Sequence, residues 1–265
     1  MPSKEQNEDP AQGPNAIVPL WKPLGRTPLE AIRRFVGTHP SYKDVPAAYA
    51  GRLDPMAEGI VLALFGEATK RMDEHLLFDK TYVATFLLGF STDTYDVLGV
   101  IHELSRQLPP PEDAARELSS FKGEFTFPLP PYSSYRVNGK PLFHWARRAM
   151  LPELPIRTVR ISGVAIEKAG LLPVSDIRAR IHSTVPHISG DFRQDEIVAA
   201  WDEALASSGL NEVPFVRAKI SCESGTYIRA IAHELGQRLS VPVLLYSLVR
   251  TRIGSYTAAD AVILD

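Results

Sequence analysis

Gly51-Arg52-Leu53-Asp54-Pro55-Met56-Ala57-Glu58-Gly59, followed by an apolar run at 60–65 and then Gly66-Glu67-Ala68-Thr69-Lys70, is the stretch around which the chain is organised. Pro55 fixes its own φ and pushes Asp54 out of the helical region. Gly51 and Gly59 permit backbone angles and close approaches that other residues resist. The result is a carboxylate on a stiffened loop at the mouth of a strand, a suitable place for a reacting group. An Asp-Pro pair serves an ordinary turn equally well, its side chain bonding nearby amides. The loop alone does not decide between the two, so the rest of the chain must.

Working outward on the N-terminal side, residues 17–21 read as a short strand that leads into Lys22-Pro23-Leu24-Gly25-Arg26-Thr27-Pro28. Thr27 and Glu30 are spaced as a capping box with Pro28 at the first helical position. Leu29, Ile32, Phe35 and Val36 continue as an apolar helical stripe to Gly37. Residues 1–16 hold Lys4 against Glu5, Glu8 and Asp9 among prolines and polar residues, the composition of a disordered tail. Residues 17–265 are then expected to form the folded domain.

On the C-terminal side, residues 71–79 read as helical and 81–89, TYVATFLLG, as a strand. Thr92-Asp93-Thr94-Tyr95-Asp96-Val97-Leu98-Gly99 is a turn dense in side chains that bond backbone. Pro109-Pro110-Pro111 opens a short helix, Asn138-Gly139 marks a hairpin, residues 142–148 read as helical and 157–168 as a strand. Residues 171–212 differ in character: an irregular stretch, then a helix with Asp191 and Gln194 as a capping pair and Ile197, Val198, Trp201, Ala204 and Leu205 on its apolar face. Alternation from Val216 to Cys222 gives a half-buried strand, residues 226–239 an amphipathic helix and 241–248 a final strand. Strands and short helices interleave without regular βαβ crossovers. The expected class is α+β, a mixed, largely antiparallel sheet flanked by helices.

Composition narrows the chemistry. The chain has 265 residues, 45% of them hydrophobic, and no apolar run of membrane-spanning length. Its one cysteine, Cys222, excludes an intramolecular disulfide and a multi-cysteine zinc site. With no signal or transit pattern, a cytoplasmic protein is expected. There are 29 basic and 31 acidic residues, and without residues 1–16 the rest carries 28 of each sign. The basic residues gather, however. Residues 131–160 hold Arg136, Lys140, Arg147, Arg148, Arg157 and Arg160 against Glu153, beside Tyr132, Tyr135, Phe143 and Trp145. That combination suits phosphate contacts and base stacking, and equally a solvated face with acidic partners elsewhere in the fold. No phosphate-cradling glycine loop, zincin pair or nucleophile elbow occurs, and His182 and His187 lack a further ligand at metal spacing.

Six segments together resemble the TruB family of tRNA pseudouridine synthases. They are Lys22-Pro23-x-Gly25-x-Thr27, GRLDPMAEG with FGEATK, KTYVATFLLG, TDTYDVLG, PPYSSYRVNGKPLFHWAR and SGTYIRAIAHELG, in the family's order over residues 17–255. The resemblance implies the pseudouridine-synthase fold and an isomerase that flips a uridine out of its RNA, cleaves its glycosidic bond and rejoins the base through carbon 5. The reaction is redox-neutral and needs no metal, nucleotide or other cofactor. On the same basis Asp54 matches the catalytic carboxylate, Arg229 the arginine that pairs with it, and Tyr82 the tyrosine that stacks on the target base and accepts a proton. Lys22 matches a supporting lysine, and Leu248 an apolar residue lining the pocket.

The implied partner is the T-arm stem-loop of tRNA, modified at uridine 55, with Tyr132, Arg136, Lys140, Arg147, Arg250 and Arg252 as the RNA-facing surface. No membrane partner is implied, and a monomer is expected. The sequence departs from the family's pattern in places. Tyr49 stands where the family has a histidine that contacts the flipped-out region, Trp21 for an aspartate, Phe127 for a glutamine and Phe143 for a tyrosine. Residues 171–212 read as an insertion, and at Asp265 a C-terminal RNA-binding domain of the PUA type is expected to be missing. Two other readings stay open: a non-catalytic RNA-binding or tRNA-folding protein on the same scaffold, and a glycosidase whose Asp54 and Glu58 would lie about 5–9.5 Å apart.

Overall fold

The computed structural model describes residues 15–264. In chain order these form β1 (Ala16–Lys22), α1 (Pro28–Thr38), β2 (Ala47–Ala50), β3 (Ala57–Phe65), α2 (Met72–Leu76), β4 (Lys80–Leu88), β5 (Phe90–Thr92) and β6 (Ile101–Leu104). There follow α3 (Pro111–Ser119), β7 (Gly123–Pro128), β8 (Arg136–Val137), β9 (Lys140–Pro141), α4 (Leu142–Ala146), β10 (Ile156–Pro173) and α5 (Val174–Thr184). The remainder is α6 (Gln194–Ser208), β11 (Glu212–Cys222), α7 (Ile228–Leu239), β12 (Val243–Ile253) and β13 (Tyr256–Thr257). The α+β class and the antiparallel pairing follow the reading of the sequence. The chain divides into two compact units, residues 1–82 with 249–265 and residues 83–248.

In the first unit, β3 is the central strand because its burial is almost continuous from Ala57 to Phe65. It pairs antiparallel with β1 from Lys22↔Gly59 to Ala16↔Phe65, and with β2 from Ala50↔Leu62 to Ala47↔Phe65. The 249–253 part of β12 belongs to this unit, and β13 pairs with it. One core layer gathers Ala50, Ile60, Leu62, Leu64 and Ile253. A second packs Phe35 of α1 edge-on or tilted against Tyr42 and Phe65. The α1 N-terminus has the expected capping box: Glu30 N donates to Thr27 Oγ1 at 3.2 Å and Thr27 N to Glu30 Oε2 at 2.7 Å. The tail expected at 1–16 lies outside the described residues except for its last two. Of these, Ala16 begins β1, and Asn15 Oδ1 accepts from Glu67 N.

In the second unit, β10 is the long organising strand. It pairs antiparallel with β11 from Ile161↔Cys222 to Pro173↔Glu212, and with β7 from Ile156↔Pro128 to Ile161↔Gly123. The hairpin β8–β9 turns at Asn138 and Gly139, with φ of 52° and 76°, the left-handed pair that such two-residue turns require.

Residues 171–212 are more helical than expected. Residues 171–173 continue β10, and the chain leaves the ladder at Val174, whose N–H bonds Asn211 O at 2.9 Å. The irregular stretch expected there includes the helix α5, which buries Ile177 and Ile181 at i,i+4 spacing. Asp191 and Gln194 are not a capping pair. Arg193 occupies the cap position of α6 in a left-handed conformation, and Gln194 instead bonds back into the preceding loop. The expected apolar face of α6 is buried at Ile197, Trp201, Ala204 and Leu205.

Candidate active site

In the first unit, the Asp54 turn is closed by a bond from Ala57 N to Asp54 O at 3.0 Å and tied to the neighbouring loop by Gly25 N to Pro55 O at 2.9 Å. Gly51 and Gly59 bracket it with φ of 86° and 120°. Asp54 itself is half-buried. Two buried cations hold this turn by its backbone. Lys22, fully buried at the end of β1, directs Nζ to the carbonyl oxygens of Ala57 at 2.5 Å, Arg26 at 2.8 Å and Pro23 at 3.1 Å. Arg250, 1% exposed in β12, donates from Nε to Ile60 O and from Nη1 to Arg52 O, each at 2.8 Å.

Buried ammonium and guanidinium groups are costly unless their donors are satisfied, so these carbonyls are what make both positions tenable. The bonds also fix the two ends of the turn. Burial pushes the Lys22 ammonium down to about 7, with Asp54 the main opposing influence and Arg250 adding to the decrease. The three carbonyl acceptors pull the other way, because only the charged form supplies three N–H donors.

Burial corrects one expectation: Arg250 is internal and not part of an exposed RNA-facing surface, while Lys22 is buried as well. Both are internal braces of the Asp54 turn. Arg252 is half-buried, bonded to Thr81 Oγ1 at 3.1 Å and to Gly254 O at 2.8 Å. Tyr49 is half-buried in β2 opposite Ala63, and Tyr82 is 8% exposed in β4. The first unit thus holds Lys22, Tyr49, Asp54, Tyr82 and Arg250.

The second unit holds Arg229, Tyr132, Arg136, Lys140, Arg147 and Leu248. Arg229 is the second residue of α7 and 4% exposed. Its Nη1 donates to Thr94 O at 3.0 Å, Nη1 and Nη2 reach Tyr132 O at 3.3 Å, and Nε lies 3.4 Å from Asp96 Oδ2. Asp96 is equally buried and accepts from Thr94 Oγ1 and Leu98 N, each at 2.8 Å. The segment TDTYDVLG was legible as a backbone-bonding turn. That its second aspartate supports Arg229 was not, although a buried Asp in a turn is one of the few groups that can hold a buried arginine.

The hairpin β8–β9 and the residue just after α4 carry three exposed cations expected to face RNA. Arg136 donates to Gly139 O at 2.8 Å, Lys140 Nζ sits 5.4 Å from the centre of the Trp145 ring, and Arg147 Nη2 donates to Asp191 O at 2.5 Å. Leu248 is 6% exposed in β12. No helix among the described residues is long and apolar enough to cross a membrane.

Comparison with known proteins converges on one family. The family described as "TruB family pseudouridylate synthase (N terminal domain)" matches residues 41–184. A protein named "tRNA pseudouridine synthase B" from Chlamydia abortus is 32% identical over 94% of this chain and 88% of its own length. One of the same name from Burkholderia mallei is 31% identical over 95% of this chain and 68% of its own. Among solved structures, a chain in "Crystal Structure of a Cbf5-Nop10-Gar1 Complex" is similar with TM-score 0.58 and 18% identity, over 99% of this chain and 58% of that one. A second is in "Structure of H/ACA RNP bound to a substrate RNA containing 2'-deoxyuridine", with TM-score 0.57, 17% identity and coverage of 100% and 57%. At such identity the structural likeness speaks for the fold.

Proposed function

Because the chain belongs to the TruB family of pseudouridylate synthases, which are isomerases, we propose that it converts uridine to pseudouridine in the T-arm loop of tRNA, at uridine 55, with Asp54 as the catalytic carboxylate. The observation that carries this reading is the braced turn. Half-buried Asp54 is held at both ends by Lys22 and Arg250, whose bonds go to backbone carbonyls. A carboxylate so placed needs no reorganisation at the moment of reaction.

The chemistry is an internal transfer. The bond between sugar carbon 1 and base nitrogen 1 breaks, the base turns, and carbon 5 bonds to the sugar. Carbon 5 then loses its proton while nitrogen 1 gains one, so atoms and electrons balance without a co-reactant. Asp54 promotes the cleavage by attacking the sugar or base or by stabilising the separated pair. Tyr82 stacks on the flipped base and accepts the carbon-5 proton. Arg229 takes the role that the family resemblance assigns to the arginine serving this reaction. The exposed Arg136, Lys140 and Arg147 meet the RNA backbone, with Tyr132 beside them.

Incubation with full-length unmodified tRNA, followed by mapping of pseudouridine, tests the reading. Product confined to uridine 55 is expected. Tight tRNA binding with no pseudouridine anywhere would replace this reading with that of an RNA-binding protein on the same scaffold.

A further inference from the structure

The residues between β10 and β11 play no part in the proposed reaction, yet the loop joining α5 to α6 reaches both segments that hold Arg229. Arg193 ends this loop with φ of 62°, a left-handed conformation that a side-chain-bearing residue keeps only when its surroundings enforce it. The enforcement is visible. Gln194 Nε2 donates to Ile188 O at 3.1 Å and Gly190 O at 2.6 Å, and its Oε1 accepts from Phe192 N at 3.0 Å. The helix that follows is itself pinned to the turn at 92–99, because buried Trp201 donates to Val97 O at 3.3 Å.

From that position the Arg193 guanidinium makes two contacts. Nη1 lies 2.8 Å from Asp93 Oδ2, and the group covers the Tyr132 ring at 5.0 Å from its centre. Asp93 and Tyr132 have distinct places in the Arg229 support. Asp93 precedes Thr94, whose carbonyl accepts from Arg229, and its other oxygen accepts from Val100 N at 3.0 Å. Tyr132 provides the second carbonyl through its own backbone. One side chain therefore clamps the two strands of backbone that grip Arg229. A second tie runs alongside, from Arg147 to the backbone of Asp191 in the same loop.

We propose that Arg193 is a positioning residue for Arg229, fixing the Thr94 and Tyr132 carbonyls by pairing with Asp93 and covering the Tyr132 ring. The stretch that the sequence marks as an insertion thereby becomes part of the active-site support. The catalytic side of this inference rests on the function proposed above. The mechanical side, the coupling of Arg193 to the two segments, does not.

Two variants test it, read by turnover, RNA affinity, melting temperature and hydrogen exchange. Arg193→Ala should lower the single-turnover rate at saturating T-arm RNA by about tenfold, leave RNA affinity within about threefold, and leave the melting temperature near that of wild type. Arg193→Lys, which restores a cation opposite Asp93, should recover most of the rate. Hydrogen exchange, which needs no RNA, should quicken in Arg193→Ala at 93–100 and 131–135 by about tenfold, with α7 and β11 unchanged. Unchanged exchange in those segments would overturn the coupling. A wild-type rate in Arg193→Ala, or equal losses in both variants that follow a fall in melting temperature, would overturn the catalytic role. Absence of product from the wild-type protein would sink the proposed function and this catalytic role with it, leaving the exchange result to decide the coupling.

Discussion

The guanidinium of Arg250 donates to the carbonyl oxygens of Arg52 and Ile60, each at 2.8 Å, and so grips the turn that carries Asp54 on both sides. The two carbonyls are eight residues apart in sequence, and a residue nearly two hundred positions later fixes their separation.

Replacing that fork should therefore loosen the turn. Arg250→Lys keeps the charge but cannot span both acceptors, so it should destabilise the protein by about 2–4 kcal/mol. Its rate of pseudouridine formation should fall further than its RNA affinity. Denaturant melts and single-turnover assays read both. A variant with wild-type stability would show that the bonds do not hold the turn.

Gly59 faces the same strand. With φ of 120°, an added Cβ would collide with the backbone of Arg250, which has no room to yield. Gly59→Ala should cost more than about 4 kcal/mol or prevent folding. Gly37, near the end of α1, has nothing within 4 Å of the same position, and Gly37→Ala should stabilise by about 0.5–1 kcal/mol. Thermal melts of the pair separate the two cases, and similar melting temperatures would contradict the account.

Lys22 gives a pH dependence. Its folded value of about 7 lies below its ordinary 10.5, so between these limits the unfolded chain binds more protons than the folded one. The stability of wild type relative to Lys22→Met should therefore be flat below pH 7 and rise from about pH 7 towards pH 10. A relative stability that stays flat over that window would mean that the three carbonyls hold the charged form at least as strongly as burial opposes it.

Arg229 is held by Thr94, Tyr132 and Asp96, all of them protein groups. Arg229→Ala should reduce turnover by at least about a hundredfold while T-arm RNA affinity changes less than about fivefold. Loss of affinity with turnover intact would remove its assigned role.

Much of the fold was legible because its signals are local. The Thr27–Glu30 capping box, the Asn138-Gly139 turn and the alternation from Val216 to Cys222 each act within a few residues, and each element formed where its signal lay. The braces were not legible for the opposite reason. Arg250 reads as a surface charge and Lys22 only as a supporting lysine, since nothing near them in sequence announces the carbonyls that satisfy them. The support of Arg229 by Asp96, 133 positions away, is likewise long-range. The helix α5 was missed although Ile177 and Ile181 carry helical spacing, because two apolar residues among charged ones are a weak periodic signal. The αL conformation of Arg193 has no sequence signature, since it is imposed by the loop that Gln194 closes.

Asp54 carries the central claim. The most direct measurement is single-turnover pseudouridine formation on an unmodified T-arm stem-loop, comparing wild type with Asp54→Asn, a near-isosteric change that removes the carboxylate charge and leaves the backbone bonds of the turn in place. Product from wild type, and none from Asp54→Asn despite unchanged RNA affinity and melting temperature, is the predicted result. Pseudouridine formed by Asp54→Asn at the wild-type rate would contradict it.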